Sequence, residues 1–494
     1  MERNREWKKW IWLALFLVAG TFLVHRVYRV LSWKDTMAAY LSNAESFYHT
    51  EDGLIDVAVF GTSHGYAAVR PDVIWDEYGY SVFNFSVSGQ DKISTIHYIR
   101  ELLDRHTPQV LFVDIYATPY ERAGVLSNLY RNMLSLKYSK NSIAQVSNYF
   151  TEEDEERMDF YLRWPIIHTR YRELKPYDFY DSPANRYGRG AVYLFMTGVA
   201  DFSGTFSHER EKKELSESNR LFVDRLAEIR DEYDVTIIPI LLPCVVYEDE
   251  QPVFNGVLEY AEECGFTCID FNLMLDELDL DVTRDFFDNT HLSGYGAVKM
   301  SRWIGAYLKE HFTLEDHRGD ERFYQWEEDA QHYAHVEFRE QLKEITGFSH
   351  LATGISETDD LLVVLVMTSG FGEQKNQLAT LAPLLHLPEG FVENGGICVI
   401  DEGEVKIHTS LQTEDRYYFD MDEHHTVWAE SAQQTDKNLM TGETDTRIVW
   451  RVGIDRETWY RTEESKGIEI LIYDKRLEYV IDRRTIDYQS LYVN

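Results

Sequence analysis

Ser63 closes the run Val57-Ala58-Val59-Phe60-Gly61-Thr62-Ser63, and far downstream the chain reads Asp285-Phe286-Phe287-Asp288-Asn289-Thr290-His291-Leu292. A hydroxyl, an imidazole and a carboxylate are the three groups of nucleophilic acyl chemistry. The imidazole takes the hydroxyl proton, and the carboxylate fixes the imidazole's tautomer and orientation. Asp288 and His291 stand three apart, so one turn can aim the carboxylate at Nδ1 and leave Nε2 for the serine. Taken alone, Ser63 also reads as a helix N-cap, and Asp-x-x-His recurs by chance. Their settings raise the specificity. Ser63 follows an apolar strand and a glycine, at the sheet edge where α/β ligand sites form. Gly61 permits a tight turn, and the N–H groups of a helix begun after Ser63 favour developing negative charge. His291 in turn is followed by Leu292-Ser293-Gly294-Tyr295-Gly296-Ala297 and a helix.

Strands and helices alternate around these residues. Apolar, β-branched runs predict strands at 55–60, 82–85, 110–115, 235–242 and 267–271. One-face apolar spacing predicts helices near 93–105, 257–264 and 297–309. Five short strands separated by helices imply an α/β fold: a five-stranded parallel sheet flanked by helices on both faces. This domain is expected over 52–312, with a helical insertion at about 120–230 that holds helix-like 151–162 and 212–232. Between those stretches runs Arg163-Trp164-Pro165-Ile166-Ile167-His168-Thr169-Arg170-Tyr171-Arg172, the clearest cluster of cations beyond the N-terminal segment. It reads either as a solvated surface face or as a lid. As a lid, Arg163, His168 and Arg170 would bind an anionic or glycan substrate through guanidinium forks and aromatic stacking.

A charged helical linker is expected at 313–350 and a β-rich module, α+β or sandwich, at 355–490. Strands are predicted there at 360–367, 396–400, 404–408, 446–452, 468–473 and 477–481, with a helix at 374–387. His424-His425 lie beside Asp422 and Glu423, but adjacent strand residues point to opposite faces, so no metal site is expected. The four cysteines, Cys244, Cys264, Cys268 and Cys398, are too few for a disulfide scaffold and read as plain thiols. No cofactor is implied.

Residues 10–24 form an uncharged, largely apolar run, which can extend through Val27 and Val30 if His25, Arg26 and Arg29 snorkel. No small-x-small cleavage site follows it, so residues 1–35 read as a cytoplasmic tail and an uncleaved transmembrane signal anchor. Arg3, Arg5, Lys8 and Lys9 precede the run, which favours a cytoplasmic N-terminus and a chain otherwise outside the membrane. With 494 residues, 44% apolar and 14% aromatic, the rest is globular. A net charge of -36 excludes general nucleic-acid binding, because like charge repels the phosphate backbone.

Gly61-Thr62-Ser63-His64, then Asn84 to Gly89, then Asp288-Asn289-Thr290-His291-Leu292 together resemble the SGNH (GDSL-like) hydrolase superfamily. The likeness covers about 52–312 and is nearest to the membrane-anchored branch with the D-alanyl lipoteichoic acid transfer protein and alginate O-acetylation proteins. It implies a flavodoxin-like sheet, Ser63 as nucleophile, His291 as base, Asp288 as its orienter, and an oxyanion hole from the N–H groups of Ser63 and Gly89. It further implies an esterase or O-acyltransferase acting on a cell-envelope polysaccharide or teichoic-acid-like polymer, with a membrane acyl-exporting protein as a partner. One departure stands out. The superfamily's asparagine after the third strand is missing from Val113-Asp114-Ile115-Tyr116-Ala117-Thr118. His64 or Tyr116 is left to replace that donor, whose loss costs about 2.7–4 kcal/mol in enzymes where one was removed. The departure is also compatible with a transferase, whose acyl-enzyme must outlive water. A catalytically inactive, polymer-binding relative is the alternative. At the C-terminus, Gly467-Ile468-Glu469-Ile470-Leu471-Ile472-Tyr473-Asp474 followed by Val480-Ile481-Asp482 is similar to the end of an interleukin-like β-sandwich domain, which suggests glycan contact.

Overall fold

The computed structural model describes residues 3–32, 44, 46–121, 126–172, 174, 179, 187–194, 197–204, 211–345, 351, 354–355, 360–367, 382–409, 416–421, 425–437, 444–454, 457–462, 468–477 and 479–486. The chain divides into two compact units, Met1–Tyr333 and Ala334–Asn494.

The first unit opens with helix α1 (Arg3–Leu31), of which Lys9–Leu31 is long and apolar enough to cross a membrane. Then follow β1 (Val57–Phe60), α2 (Ser63–Ala68), α3 (Pro71–Tyr78), β2 (Val82–Asn84), α4 (Lys92–Leu103) and β3 (Val110–Asp114). An insertion carries α5 (Leu126–Leu134), α6 (Lys140–Tyr149), α7 (Arg157–Leu162), α8 (Trp164–Ile167) and a 3-10 turn at His168–Arg172. The sheet resumes through α9 (Glu217–Tyr233), β4 (Thr236–Leu241), α10 (Gln251–Glu263) and β5 (Ile269–Asp270), and α11 (Gly294–His311) and α12 (Tyr324–Glu340) follow.

The five strands pair in parallel in the order β2-β1-β3-β4-β5. Side chains alternate along each strand, so one apolar run feeds two cores. Ala58, Phe60, Leu111, Val113, Ile237 and Leu241 pack with α4, α9 and α10. Val57, Val59, Val110, Phe112, Ile238 and Ile240 pack with α3 and α11. The order reverses beside β1, and the resulting crevice lies outside the carboxyl ends of the strands. The expected linker takes part in this fold, since Phe323 and Trp326 belong to the first core and Trp326 Nε1 donates to Val82 O at 2.8 Å.

Helix α7 begins at Arg157, because 151–156 forms turns in which Asp154 accepts from Thr151 N–H and hydroxyl. A strap from the insertion crosses the sheet's carboxyl edge. Asn84 N–H donates to Arg189 O (2.8 Å), Val192 N–H to Tyr66 O (2.8 Å) and Gly294 N–H to Leu194 O (2.7 Å).

In the second unit β6 (Leu361–Met367), β7 (Gly396–Asp401), β8 (Glu404–Thr409), β9 (Arg416–Asp420), β10 (Thr426–Lys437), β11 (Thr444–Ile454), β12 (Glu457–Thr462), β13 (Ile468–Asp474) and β14 (Tyr479–Ile486) form two antiparallel sheets. Their orders are β14-β13-β6-β7-β8 and β12-β11-β10-β9. Leu362, Val364 and Val366 pack against Val427, Ala429, Val452 and Ile454 between the sheets, as in a sandwich. Val363, Leu365 and Met367 face a second core with Leu385 and with Phe391 of α13 (Glu389–Asn394). Part of the helix expected at 374–387 and all of Asp422-Glu423-His424 lie outside the described residues; within the former, Ala382–Leu385 is a 3-10 turn. Strands β9, β10 and β12 are additions to the expected pattern.

Candidate active site

β1 delivers Ser63 to the crevice. Gly61 is required because β3 runs so close that a Cβ there would sit 2.7 Å from Asp114 Cβ. Thr62 caps α2, its hydroxyl accepting from His64 N–H at 3.3 Å, and Ser63 is the first helical residue. Its N–H is therefore one of the donors that a helix start leaves unpaired. From β2, buried Asn84 fixes α2 by donating through Nδ2 to Gly65 O (2.8 Å) and Val69 O (3.0 Å). The loop after β2 lies against the loop after β1 through Val87 N–H to Gly61 O (3.0 Å). It reaches Gly89 at φ 62°, where an L side chain is strained. Among the described residues, neither Ser63 N–H nor Gly89 N–H has an acceptor.

Asp288 and His291 sit in a tight turn ahead of α11. Asp288 Oδ1 accepts from Thr290 N–H (2.8 Å), Thr290 hydroxyl (2.9 Å) and His291 N–H (2.8 Å). His291 Nδ1 lies 2.9 and 3.0 Å from the two Asp288 oxygens. Partial burial opposes ionisation of Asp288, but the Thr290 N–H and the His291 ring outweigh it and hold the carboxyl below its ordinary range. Asp285, the other acid of this run, is spent on structure: it accepts from Lys299 Nζ (2.7 Å) and Asp281 N–H (2.8 Å). A bridge from Phe286 to Leu292 closes the turn, and one from Phe286 to Gly198 pins it to the insertion.

The two halves meet at His64. Its ring centroid lies 5.2 Å from that of His291 and 3.6 Å from that of Tyr116. The ring is buried and its Nδ1 has no partner. Burial, then the neighbouring His291, depress its pKa well below the usual imidazole value, with Asp288 acting the other way. Ser63 hydroxyl and His291 Nε2 are not hydrogen-bonded to each other, and neither has another partner among the described residues. Catalytic contacts in unliganded sites are often long and tighten only around substrate.

Tyr116 is placed differently from the expected donor. Its ring lies on His64, and the neighbouring Tyr120 hydroxyl donates to Glu250. Asp114 is buried beside Gly61, accepts from Tyr116 N–H at 3.3 Å and leaves Oδ2 unpaired; burial pushes its pKa up to about 7. A side-chain amide comes instead from the insertion. Asn128 on α5 packs so closely on Gly89 that a Cβ there would be 2.3 Å from Asn128 Nδ2. Its Oδ1 accepts from Arg131 at 2.9 Å, which leaves Nδ2 without an acceptor among the described residues. Sequence reasoning missed Asn128, because nothing in the pattern places an insertion helix against the β2 loop.

The Arg163–Arg172 segment is a surface in part, with Trp164, His168, Thr169, Tyr171 and Arg172 exposed, but two of its cations are not solvated. Arg163 is buried, donates to Leu136 O at 2.6 Å and lies over the Tyr138 ring. Arg170 is buried and donates to Leu31 O (3.2 Å) and to Ser32 O, at the end of α1. Both guanidinium groups thus satisfy backbone carbonyls. His168 is exposed and its Nδ1 folds back on Pro165 O at 2.8 Å. No metal-ligating cluster occurs among the described residues, and Cys244, Cys264, Cys268 and Cys398 are free thiols.

Among known proteins, no family model matches the chain and no curated protein is significantly similar to it.

Proposed function

We propose that the chain is a membrane-anchored, extracytoplasmic serine esterase or O-acyltransferase of the SGNH type, acting on an acylated cell-envelope glycopolymer. The observation that carries this reading is the Asp288–His291 pair, whose carboxylate occupies Nδ1 and leaves Nε2 facing no other partner, one ring away from the helix start that bears Ser63. Ser63 attacks the acyl carbonyl, His291 Nε2 takes the hydroxyl proton, and Asp288 steadies the imidazolium that forms. The carbonyl oxygen gathers charge toward the N–H groups of Ser63 and Gly89 and toward Asn128 Nδ2. His291 returns its proton to the leaving oxygen, and a sugar hydroxyl or water then releases the acyl group by the same steps in reverse.

The anchor is supported by the end of α1. A cleaved signal has no part in the mature fold, whereas Leu31 is buried and its carbonyl is held by Arg170. The cluster of Arg3, Arg5, Lys8 and Lys9 favours a cytoplasmic N-terminus.

Labelling with a fluorophosphonate probe tests the assignment. Wild-type protein should label, Ser63→Ala should not, and His291→Ala should label about 10⁴-fold more slowly with an unchanged melting temperature. Undiminished labelling of Ser63→Ala would sink the proposal. Wild-type protein that neither labels nor cleaves an aryl acetate, yet binds envelope polysaccharide, would establish the inactive, polymer-binding alternative.

A further inference from the structure

Five of the exposed apolar side chains of the insertion lie on its α7–α8 part and the chain tied to it, while others such as Ile143 and Val199 stand apart in sequence. Tyr138, Met158, Leu162, Trp164 and Tyr171 are each between 46% and 58% exposed. Met158 and Leu162 stand four apart on α7 and so share its outer face. Tyr138 is tied to them, its hydroxyl donating to Leu162 O at 2.8 Å, and Trp164 begins α8 two residues further on. Scattered surface apolar groups are ordinary, but a cluster of this size calls for a covering.

The position of the cluster names that covering. Arg170, in the turn just after α8, binds the last carbonyls of α1 at Leu31 and Ser32. The cation there also answers the negative end of the helix dipole. The candidate span of 23 residues would be about 34 Å long at ~1.5 Å per residue, against a hydrocarbon layer of ~30 Å. Arg26 and Arg29 mark the exit from hydrocarbon, so Leu31 falls within the headgroup layer, which is ~5–8 Å deep on each side. Whatever grips Leu31 is held at that level. Trp and Tyr, apolar with a polar tip, are the residues suited to it.

We propose that Tyr138, Met158, Leu162, Trp164 and Tyr171 form a membrane-docking face that rests in the outer headgroup–acyl boundary of the bilayer crossed by α1. The face recognises that boundary through its apolar and aromatic groups and not through anionic headgroups. Glu152, Glu153, Glu155 and Glu156 are exposed immediately before α7 and would be repelled by them, which offsets the exposed Lys137 and Arg172 beside Tyr138 and Tyr171. Docking fixes the tilt and height of the α/β unit, so the crevice would meet a polymer at a set distance from the lipid. The inference rests on the anchor part of the function proposed above and is independent of the catalytic part.

Nitroxide labels on the full-length protein in phosphatidylcholine vesicles decide it. Cysteines are introduced singly at Val18, Leu162, Tyr171 and Lys212, with Cys264 and Cys268 replaced by serine. Collision with oxygen reports lipid, and collision with a nickel chelate reports water. Val18 should be the deepest, and Leu162 and Tyr171 should show nickel accessibility several-fold below that at Lys212, with oxygen accessibility raised. The same values are expected after adding phosphatidylglycerol. Leu162 and Tyr171 labels as water-exposed as Lys212, with Val18 deep, would overturn the docking face and leave the anchor standing. A water-exposed Val18 would remove both. Labels shielded from oxygen and nickel alike would mean a protein covers the face, which also overturns the proposal.

Discussion

Asn128 enters the site from a helix of the insertion, and its amide is the side-chain donor that the proposed acyl chemistry would use. Removing one oxyanion donor costs about 10²–10³ in kcat in enzymes where it has been tested. Asn128→Ala is therefore expected to lower kcat on an aryl acetate by about 10²-fold with little change in KM, since the donor acts on charge that develops only in the transition state. A rise in KM at constant kcat would instead make Asn128 a ground-state contact. Asp114 gives a second prediction at this scale. Its folded pKa of about 7 lies above the ordinary carboxyl value. Between pH ~4 and ~7 the unfolded chain has lost the proton and the folded chain keeps it, so stability falls as pH rises through that window. Asp114→Asn removes the slope, and its melting temperature should gain on wild type from pH 5 to pH 8. A constant difference across that range would mean Asp114 ionises normally in the fold. The Asp288–His291 contact was legible, since both residues, like Ser63, sit next to their own turn and strand signals. The partners that define the site's remaining chemistry were not, because the Tyr116–His64 stack and the Asn128–Gly89 approach join residues through space alone.

Among elements, the short helix α2 matters most and has the least to hold it. At six residues it is too short to be stable by itself. Its position depends on α11 behind it and on Asn84, whose amide satisfies two carbonyls of the helix and its end. Asn84→Ala leaves Val69 O buried without a donor and Gly65 O with the Val69 N–H (3.3 Å) alone, a cost of about 1–3 kcal/mol. Urea unfolding of the first unit should report that loss, together with slower labelling of Ser63. A stability loss below about 0.5 kcal/mol would show that α2 is held by packing alone. The same scale explains what periodicity could and could not deliver. Strands β1, β3 and β4 were readable because each is a short apolar run buried almost throughout on both faces, whereas β5 is reduced to Ile269–Asp270. Strands β9, β10 and β12 were not, since Arg416–Asp420, Thr426–Lys437 and Glu457–Thr462 are rich in polar and charged residues. Antiparallel sheets that face water on one side dilute the apolar signal in this way. The Arg163–Arg172 segment was conspicuous in composition, but composition does not reveal that a guanidinium has found a backbone carbonyl.

Over the whole molecule, charge separates the polymers that the site could serve. The chain carries a net charge of -36, and the two cations best placed in sequence to offset it, Arg163 and Arg170, are buried on carbonyls. A polyanionic polymer such as a teichoic-acid-like chain would approach against long-range repulsion, whereas a neutral acylated glycan would not. Screening shortens the reach of that field from ~30 Å at 0.01 M salt to ~8 Å at 0.15 M. For an anionic acylated polymer, kcat/KM should therefore rise several-fold across that range, because the repelled encounter becomes more frequent while the chemical step is untouched. For a neutral one of equal length it should stay nearly flat. Measuring both substrates at both ionic strengths separates encounter from chemistry, as kcat at saturation should not move in either case. A rate on the anionic polymer that falls with salt would mean that a local basic surface draws it in, and that the net charge is not what sets its approach.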